Sequence, residues 1–172
     1  LYSKSEDSSK APIEDAKKFL ADKGVEVVEK TGTTTDEVNQ AVDALIAEKV
    51  DAIFTPTDNT IQKAELSFYE KLQKAKIPHY GGADSFALNG AFAGYGVDYV
   101  QLGKATADMV DEVLHGGKET ATLPVQTFDN GIATVNTDTA EKLGFSMDEL
   151  KEVFKPYCTK VEEIKTNQEF AK

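Results

Sequence analysis

Four consecutive polar residues, Thr57-Asp58-Asn59-Thr60, carry the strongest chemical signal in the sequence. A carboxylate flanked by hydroxyls and an amide can pair with an ammonium group while its neighbours donate or accept around it. The same residues also suit a structural task. An Asp or Asn before a helix accepts a backbone N–H and stabilises by about 1 kcal/mol. Only one of the four can be that cap, so a cap and ligand contacts stand side by side as readings. Two other stretches have similar character. Ser5-Glu6-Asp7-Ser8-Ser9 reads by itself as a solvated loop, and Asp84 follows another apolar run, Ile77–Gly81.

Catalysis finds little support. A nucleophile–base pair or a tuned acid–base pair is required, and no nucleophile elbow, phosphate loop or metal motif is present. His79 falls in a predicted strand and His115 at a helix end, 36 residues apart and without ligand spacing. A single cysteine, Cys158, excludes an internal disulfide and a Cys-rich zinc site. The segment Gly94-x-Gly96-x-x-Tyr99 lacks the third glycine of a dinucleotide fingerprint. The expectation is a chain with no catalytic residues, no metal and no cofactor. Tyr80, Phe86, Phe92, Tyr95 and Tyr99 offer rings that could stack on a ligand, with core packing the default for most of them.

The elements that position the polar stretches follow from periodicity. Leu1-Tyr2 reads as the tail of a first strand, followed by a polar loop over residues 3–10. Pro12 suits the first turn of a helix that Ser9 or a neighbour caps, and Gly24 stops it. Val25–Val28 reads as a second strand. Val38, Ala41, Val42, Leu45 and Ile46 trace one helical face, with Thr35 as cap. Ala52–Thr55 is a short apolar run of the kind found in strands buried on both faces. A helix from Thr60 to Lys76 follows, then a strand over Ile77–Gly81 and a short helix near Phe86–Asn89. Gly90–Tyr99 is a Gly-rich strand, and Val100–His115 a helix with Leu102, Thr106, Met109 and Val113 on one face. Thr122–Phe128 reads as an extended crossover. Ile132–Val135 is a strand, Thr137–Leu143 and Met147–Phe154 are helices, and the tail from Lys155 is weakly patterned. Alternating β and α units imply an α/β fold, a doubly wound parallel sheet flanked by helices. Ligands of such sheets bind at the carboxyl ends of the strands, which puts the three polar stretches on one rim.

Composition narrows the function classes. With 172 residues and 40% hydrophobic content the chain builds an ordinary globular core. A net charge of −11, with the basic residues dispersed, argues against nucleic acid. No apolar run approaches the roughly 20 residues that span a bilayer. Leu1-Tyr2, read as the tail of a strand, suggests a piece of a longer protein, so the lack of a leader carries no information on location.

Several blocks occur in order: Tyr2-x-x-Ser5-Glu6-x-x-Ser9, Val50-Asp51-Ala52-Ile53-x-x-Pro56-Thr57-Asp58-Asn59-Thr60, Ile77-Pro78, Gly90-Ala91, Asp98-Tyr99-x-x-Leu102-Gly103 and Val135-Asn136-x-x-x-Ala140-x-x-Leu143-Gly144. Together they resemble the ABC transporter substrate-binding proteins of the tryptophan/tyrosine-binding type, which have the type I periplasmic-binding-protein fold. The resemblance reaches to about Ser146. It implies two lobes closing on an amino acid, an ABC permease as partner, and an extracytoplasmic location, periplasmic or lipid-anchored. It also implies that residues 1–90 and 117–172 form the C-terminal ligand-binding lobe. Residues 91–116 would return to an N-terminal lobe outside this chain, or self-associate through their unpartnered face. By the same resemblance Ser9, Thr57, Asp58, Asn59 and Asp84 contact the ligand, Asp58 taking its α-ammonium. Relatives often carry Ala-Asn where this chain has Asp7-Ser8. The rival readings are an effector-sensing domain of a transcription regulator, an enzyme using Asp58 as general base, and a phospho-acceptor domain. The first would need an upstream helix-turn-helix, and the last an acidic pair on the first strand.

Overall fold

The computed structural model describes residues 1–127 and 131–169. Among these residues are seven α-helices and five strands. They are α1 (Asp7–Asp22), α2 (Thr35–Ala47), β1 (Ile53–Thr55), α3 (Asn59–Ala75), β2 (His79–Gly81), α4 (Asp84–Leu88), β3 (Ala93–Val97), α5 (Tyr99–Leu114), β4 (Gly131–Asn136), α6 (Thr137–Leu143), α7 (Met147–Phe154) and β5 (Lys160–Ile164). The strands lie in sequence order, β1-β2-β3-β4-β5. This is the expected α/β architecture, with one amendment to the sheet. β1, β2 and β3 are parallel, as are β4 and β5, but β3 and β4 run antiparallel. The reversal arises because the chain leaves along β3 into α5 and re-enters along β4 from the opposite direction.

Local chemistry explains most boundaries. The Thr34 side chain caps α2 by accepting from the Glu37 N–H, and the Thr33 N–H and hydroxyl donate back to the Glu37 carboxylate at 2.8 and 2.6 Å, a reciprocal arrangement close to a capping box. One face of α2, Val38, Ala41, Val42 and Leu45, is buried. It packs with Ile61, Ala64, Phe68 and Leu72 of α3 and with Ile53, Ile77 and Phe86 in the larger core cluster. A smaller cluster of Phe92, Ala93, Val135, Ala140 and Leu150 sits around β3 and β4, with Phe154 and Val161 against it. Gly82 and Gly94 permit close approach. A Cβ on Gly82 would lie 2.5 Å from the Thr57 nitrogen, and one on Gly94 would lie 2.1 Å from the Ala83 oxygen.

Several expectations change. Thr34, not Thr35, caps α2. α1 starts at Asp7, five residues before Pro12, so Pro12 lies inside the helix and supplies no N–H to the turn below it. Val25–Val28 is not a strand. The first strand pairs instead further on, through a parallel bridge between Tyr2 and Thr31, and Leu1 donates to the Phe54 carbonyl on its other side. A 3-10 turn at Thr120–Thr122 takes only the first residue of the predicted extended crossover; residues 123–127 are neither helix nor strand, and its last residue, Phe128, lies outside the described residues. The tail forms β5, pairing in parallel with β4.

Helix α5 differs from the rest. Asp98 caps it by accepting from the Val100 and Gln101 N–H groups, yet none of its residues is buried. Tyr99, Val100, Val110 and Leu114 are exposed apolar side chains along it.

Candidate functional site

Asp58 ends the turn after β1 and is 1% exposed. Its Oδ1 accepts from the Ile61 N–H at 3.0 Å, the cap predicted for one of the four polar residues. Its Oδ2 accepts from the Ser3 N–H at 2.7 Å and from the Ser9 hydroxyl at 2.6 Å. Three donors from three places in the chain therefore converge on one carboxylate. The chain entering α1, the first turn of α1 itself and the start of α3 are tied at a single charge. Charge-assisted bonds of this kind are about twice as strong as neutral ones.

Around this anchor the three polar loops are stitched together. The Ser8 hydroxyl donates to the Thr57 carbonyl at 3.1 Å. The Thr57 hydroxyl donates to the Gly82 carbonyl at 3.0 Å, and the Gly82 N–H to the Thr55 carbonyl at 2.9 Å. Glu6 accepts from the Thr60 hydroxyl at 3.1 Å and, more weakly, from the Asn59 amide at 3.5 Å. Asp84 opens α4 two residues beyond Gly82.

All five residues anticipated on the rim lie in these loops or in the first turns of the helices that follow them, with unequal access. Thr57 and Asn59 are exposed and Asp84 is half-buried, whereas Ser9 and Asp58 are buried beneath them. Ser3, Glu6 and Gly82 were not among the residues expected to contact a ligand. Ser3 and Gly82 act through backbone atoms, which side-chain chemistry does not reveal. Glu6 stood within the Tyr2-x-x-Ser5-Glu6-x-x-Ser9 block, and its spacing from Ser9 was the available signal.

The rim offers carboxylates, hydroxyls and an amide, and the N-terminal turn of α3, whose first N–H groups have no intrahelical partner. It offers no guanidinium, because every basic residue of the chain is a lysine. Such a surface suits a small polar or zwitterionic group better than a phosphate ester. Among the described residues, no group of three or more His, Cys, Asp or Glu is disposed to hold a metal ion, and no helix is long and apolar enough to cross a membrane.

Beneath the rim is a second polar cluster, away from solvent. His79 of β2 has Nδ1 2.9 Å from Glu65 Oε1 and Nε2 2.9 Å from the Thr55 hydroxyl. Glu65, His79 and Thr55 are all buried. Burial pushes the Glu65 carboxyl above its ordinary range, with His79 opposing, and Glu65 Oε2 has no hydrogen-bond partner. The aromatic residues follow the packing default in part. Phe86 and Phe92 are core, and the Tyr80 ring packs edge-on against Phe92 at 5.4 Å, while Tyr95 and Tyr99 are exposed.

Comparison with known proteins agrees with this architecture. Residues 1–155 match the family model described as ABC transporter substrate binding protein. The chain is 34% identical over 143 residues to a tyrosine-binding protein of Clostridioides difficile, a match covering 83% of this chain and 41% of that protein. Among solved structures, the ligand-free, open form of a substrate-binding protein with adhesive properties from Clostridium difficile superposes with a TM-score of 0.79 and 30% identity. That alignment covers 96% of this chain and 53% of the other. The ABC domain in complex with L-Trp from Streptococcus pneumonia gives 0.73 and 32%, covering 94% and 53%. The chain thus spans about half the length, or less, of the relatives it matches, and across that span it belongs to the ABC transporter substrate-binding protein family.

Proposed function

We propose that this chain is the C-terminal lobe of an extracytoplasmic solute-binding protein that captures an aromatic or large apolar amino acid for an ABC importer. The observation that carries this is the rim: three loops at the strand ends, bonded to one another around the buried Asp58 carboxylate. The tyrosine-binding relative and the L-Trp complex supply the ligand class. In this reading the exposed Thr57 and Asn59 and the half-buried Asp84 meet the ligand, while Ser9 and Asp58 hold the floor beneath them. Asp58 lends its negative charge to the ligand ammonium. A direct contact requires the ammonium to share Asp58 with donors already bound to it. With no arginine in the lobe, the ligand carboxylate is held by backbone N–H groups or by the opposite lobe.

Of residues 91–116, taken as the segment that crosses to the other lobe, residues 91–97 sit in the core and sheet of this lobe, and α5 is the part that crosses. The unburied face of α5 is then a half-interface, covered by the N-terminal lobe in the complete protein. Ligand bridging the two lobes favours the closed form by its differential affinity, and the closed form docks on the permease. The role is binding and release, without chemistry. One lobe supplies half the contacts, so the 172-residue chain alone binds weakly or not at all.

Calorimetric titration of the complete two-lobe protein with tyrosine, tryptophan and leucine tests this. Expected is binding of an aromatic or large apolar amino acid, weakened at least tenfold by Thr57→Ala combined with Asn59→Ala. Absence of binding by all three, or an unchanged Kd in the double variant, refutes the assignment of ligand or site. Micromolar binding by the isolated chain, worth about −8 kcal/mol, refutes the half-site.

A further inference from the structure

The acidic residues of the rim differ in what already occupies their oxygens. Asp58 takes three short bonds, from the Ser9 hydroxyl at 2.6 Å, the Ser3 N–H at 2.7 Å and the Ile61 N–H at 3.0 Å. A carboxylate has about four lone-pair sites, and at 1% exposure the remaining one has no open approach. Asp7 points the other way, into solvent: its side chain is 94% exposed and paired with Lys10 at 2.6 Å. Asp84 lies on the β3 side of the rim, its backbone against Gly94 and Gly96.

Glu6 is placed differently. It is the N-cap residue of α1, yet its side chain makes no cap bond, and the cap of α3 is Asp58. Its carboxylate reaches instead across to the first turn of α3. There the Thr60 hydroxyl donates to Oε1 at 3.1 Å and the Asn59 amide to Oε2 at 3.5 Å. Both donors are neutral, and the second bond is long. Lys10 and Lys17 of α1 are engaged elsewhere, with Asp7 and with Glu14 and Glu29. Glu6 is half-buried. It therefore keeps acceptor capacity on both oxygens at a place solvent reaches. The Asn59 amide oxygen and the Thr60 hydroxyl oxygen are further acceptors beside it, and an ammonium has three N–H groups to satisfy.

Resting on the amino-acid ligand proposed above, we infer that Glu6 takes the ligand α-ammonium directly, with Asn59 and Thr60 beside it, while Asp58 is the fixed charge beneath. The contact is charge-assisted on both sides and stronger than the two neutral bonds it joins. Glu6 thereby selects an amino acid over the corresponding desamino acid.

Calorimetric titration of the complete two-lobe protein tests this with tyrosine, tryptophan and leucine, each beside the analogue carrying hydrogen in place of the α-ammonium. The parent should prefer the amino acid. Glu6→Gln keeps the shape and still accepts from Thr60, so the fold stays. It should weaken the amino acid about tenfold or more and leave the desamino analogue no weaker. Asp7→Asn removes an exposed charge one residue away and should leave the preference as it is in the parent. If the parent binds an amino acid and Glu6→Gln leaves the preference unchanged, Glu6 is not the acceptor, and the amino-acid reading stands without it. Equal weakening of both ligands by Glu6→Gln also overturns the assignment, because a purely structural role gives that result. So does an equal loss of preference in Asp7→Asn, which marks a diffuse field. Failure of the parent to bind any of the three amino acids overturns the proposed function and the role of Glu6 together.

Discussion

Glu65→Gln separates the two things that the buried Glu65 carboxylate does. In the parent, Oε1 shares a hydrogen with His79 Nδ1 at 2.9 Å, while Oε2 is buried without a partner. Gln has nearly the same shape and can donate to or accept from Nδ1, so the hydrogen bond survives and only the charge is lost. Breaking the bond instead, with Glu65→Ala, leaves Nδ1 unpaired at about 1–3 kcal/mol and opens a cavity beside His79, for a total loss of about 2–5 kcal/mol. For Gln the expectation is a change within about 1 kcal/mol at pH 5, because the amide keeps the shape and the hydrogen bond to Nδ1. The pH dependence is the sharper signature. Burial raises the folded-state pKa of Glu65 above its ordinary value of 4.5, so the folded state holds this proton more tightly than the unfolded chain. The associated stability is complete below about pH 4.5 and is lost as pH rises through the folded value, by up to about 1.4 kcal/mol per pH unit. Urea denaturation at pH 5, 6, 7 and 8 should show the parent falling relative to Glu65→Gln as pH increases. If Gln costs more than about 2 kcal/mol at every pH, the carboxylate charge is a net asset and desolvation is not the dominant force on Glu65.

The Leu1 amine gives the opposite slope. Its folded pKa is lowered from 8.0 to about 6, so the unfolded chain binds more protons between those values and stability rises with pH across that window. Two pKa units correspond to about 2.7 kcal/mol, and acetylation of the amine should flatten the rise; a denaturation midpoint that does not change from pH 6 to 8 contradicts the burial of that group. At the rim, Asp58→Asn places an amide where three donors converge, so at least one donor meets an NH₂ group or loses charge assistance. A loss of about 2–4 kcal/mol is expected, read as a lower thermal midpoint, and a midpoint within a degree of the parent would show that the three bonds are replaceable.

Much of this fold is legible where local signals agree. Helices α6 and α7 occur at the predicted residues, and α2 and α3 within about one, because a cap, an apolar stripe and a stop residue point the same way. The failures have tertiary causes. Nothing local marks Asp7 as a helix start, since residues 5–9 are polar and Pro12 argues for a later one. The early start accompanies the bond from Ser9 to Asp58, made across 49 residues of sequence. Strand β5 is hidden for a similar reason. Lys160–Ile164 is mostly charged, and its pairing with β4 supplies what its composition does not. Val25–Val28 shows the reverse error: residues with strand propensity form no strand.

The same division explains why the site was only half visible. Asp58 could be recognised as a cap or as a ligand group, and the geometry shows the cap at Oδ1 with Oδ2 bound to Ser3 and Ser9. A carboxylate that orients three segments is poorly placed to give way to a ligand, since each bond released exposes an unsatisfied buried donor. On the proposed function, fixing the floor leaves ligand contact to groups that solvent already reaches, Thr57, Asn59 and Asp84. Such a rim would enter lobe closure already organised, and ligand affinity would depend on what the opposite lobe adds, rather than on ordering this one.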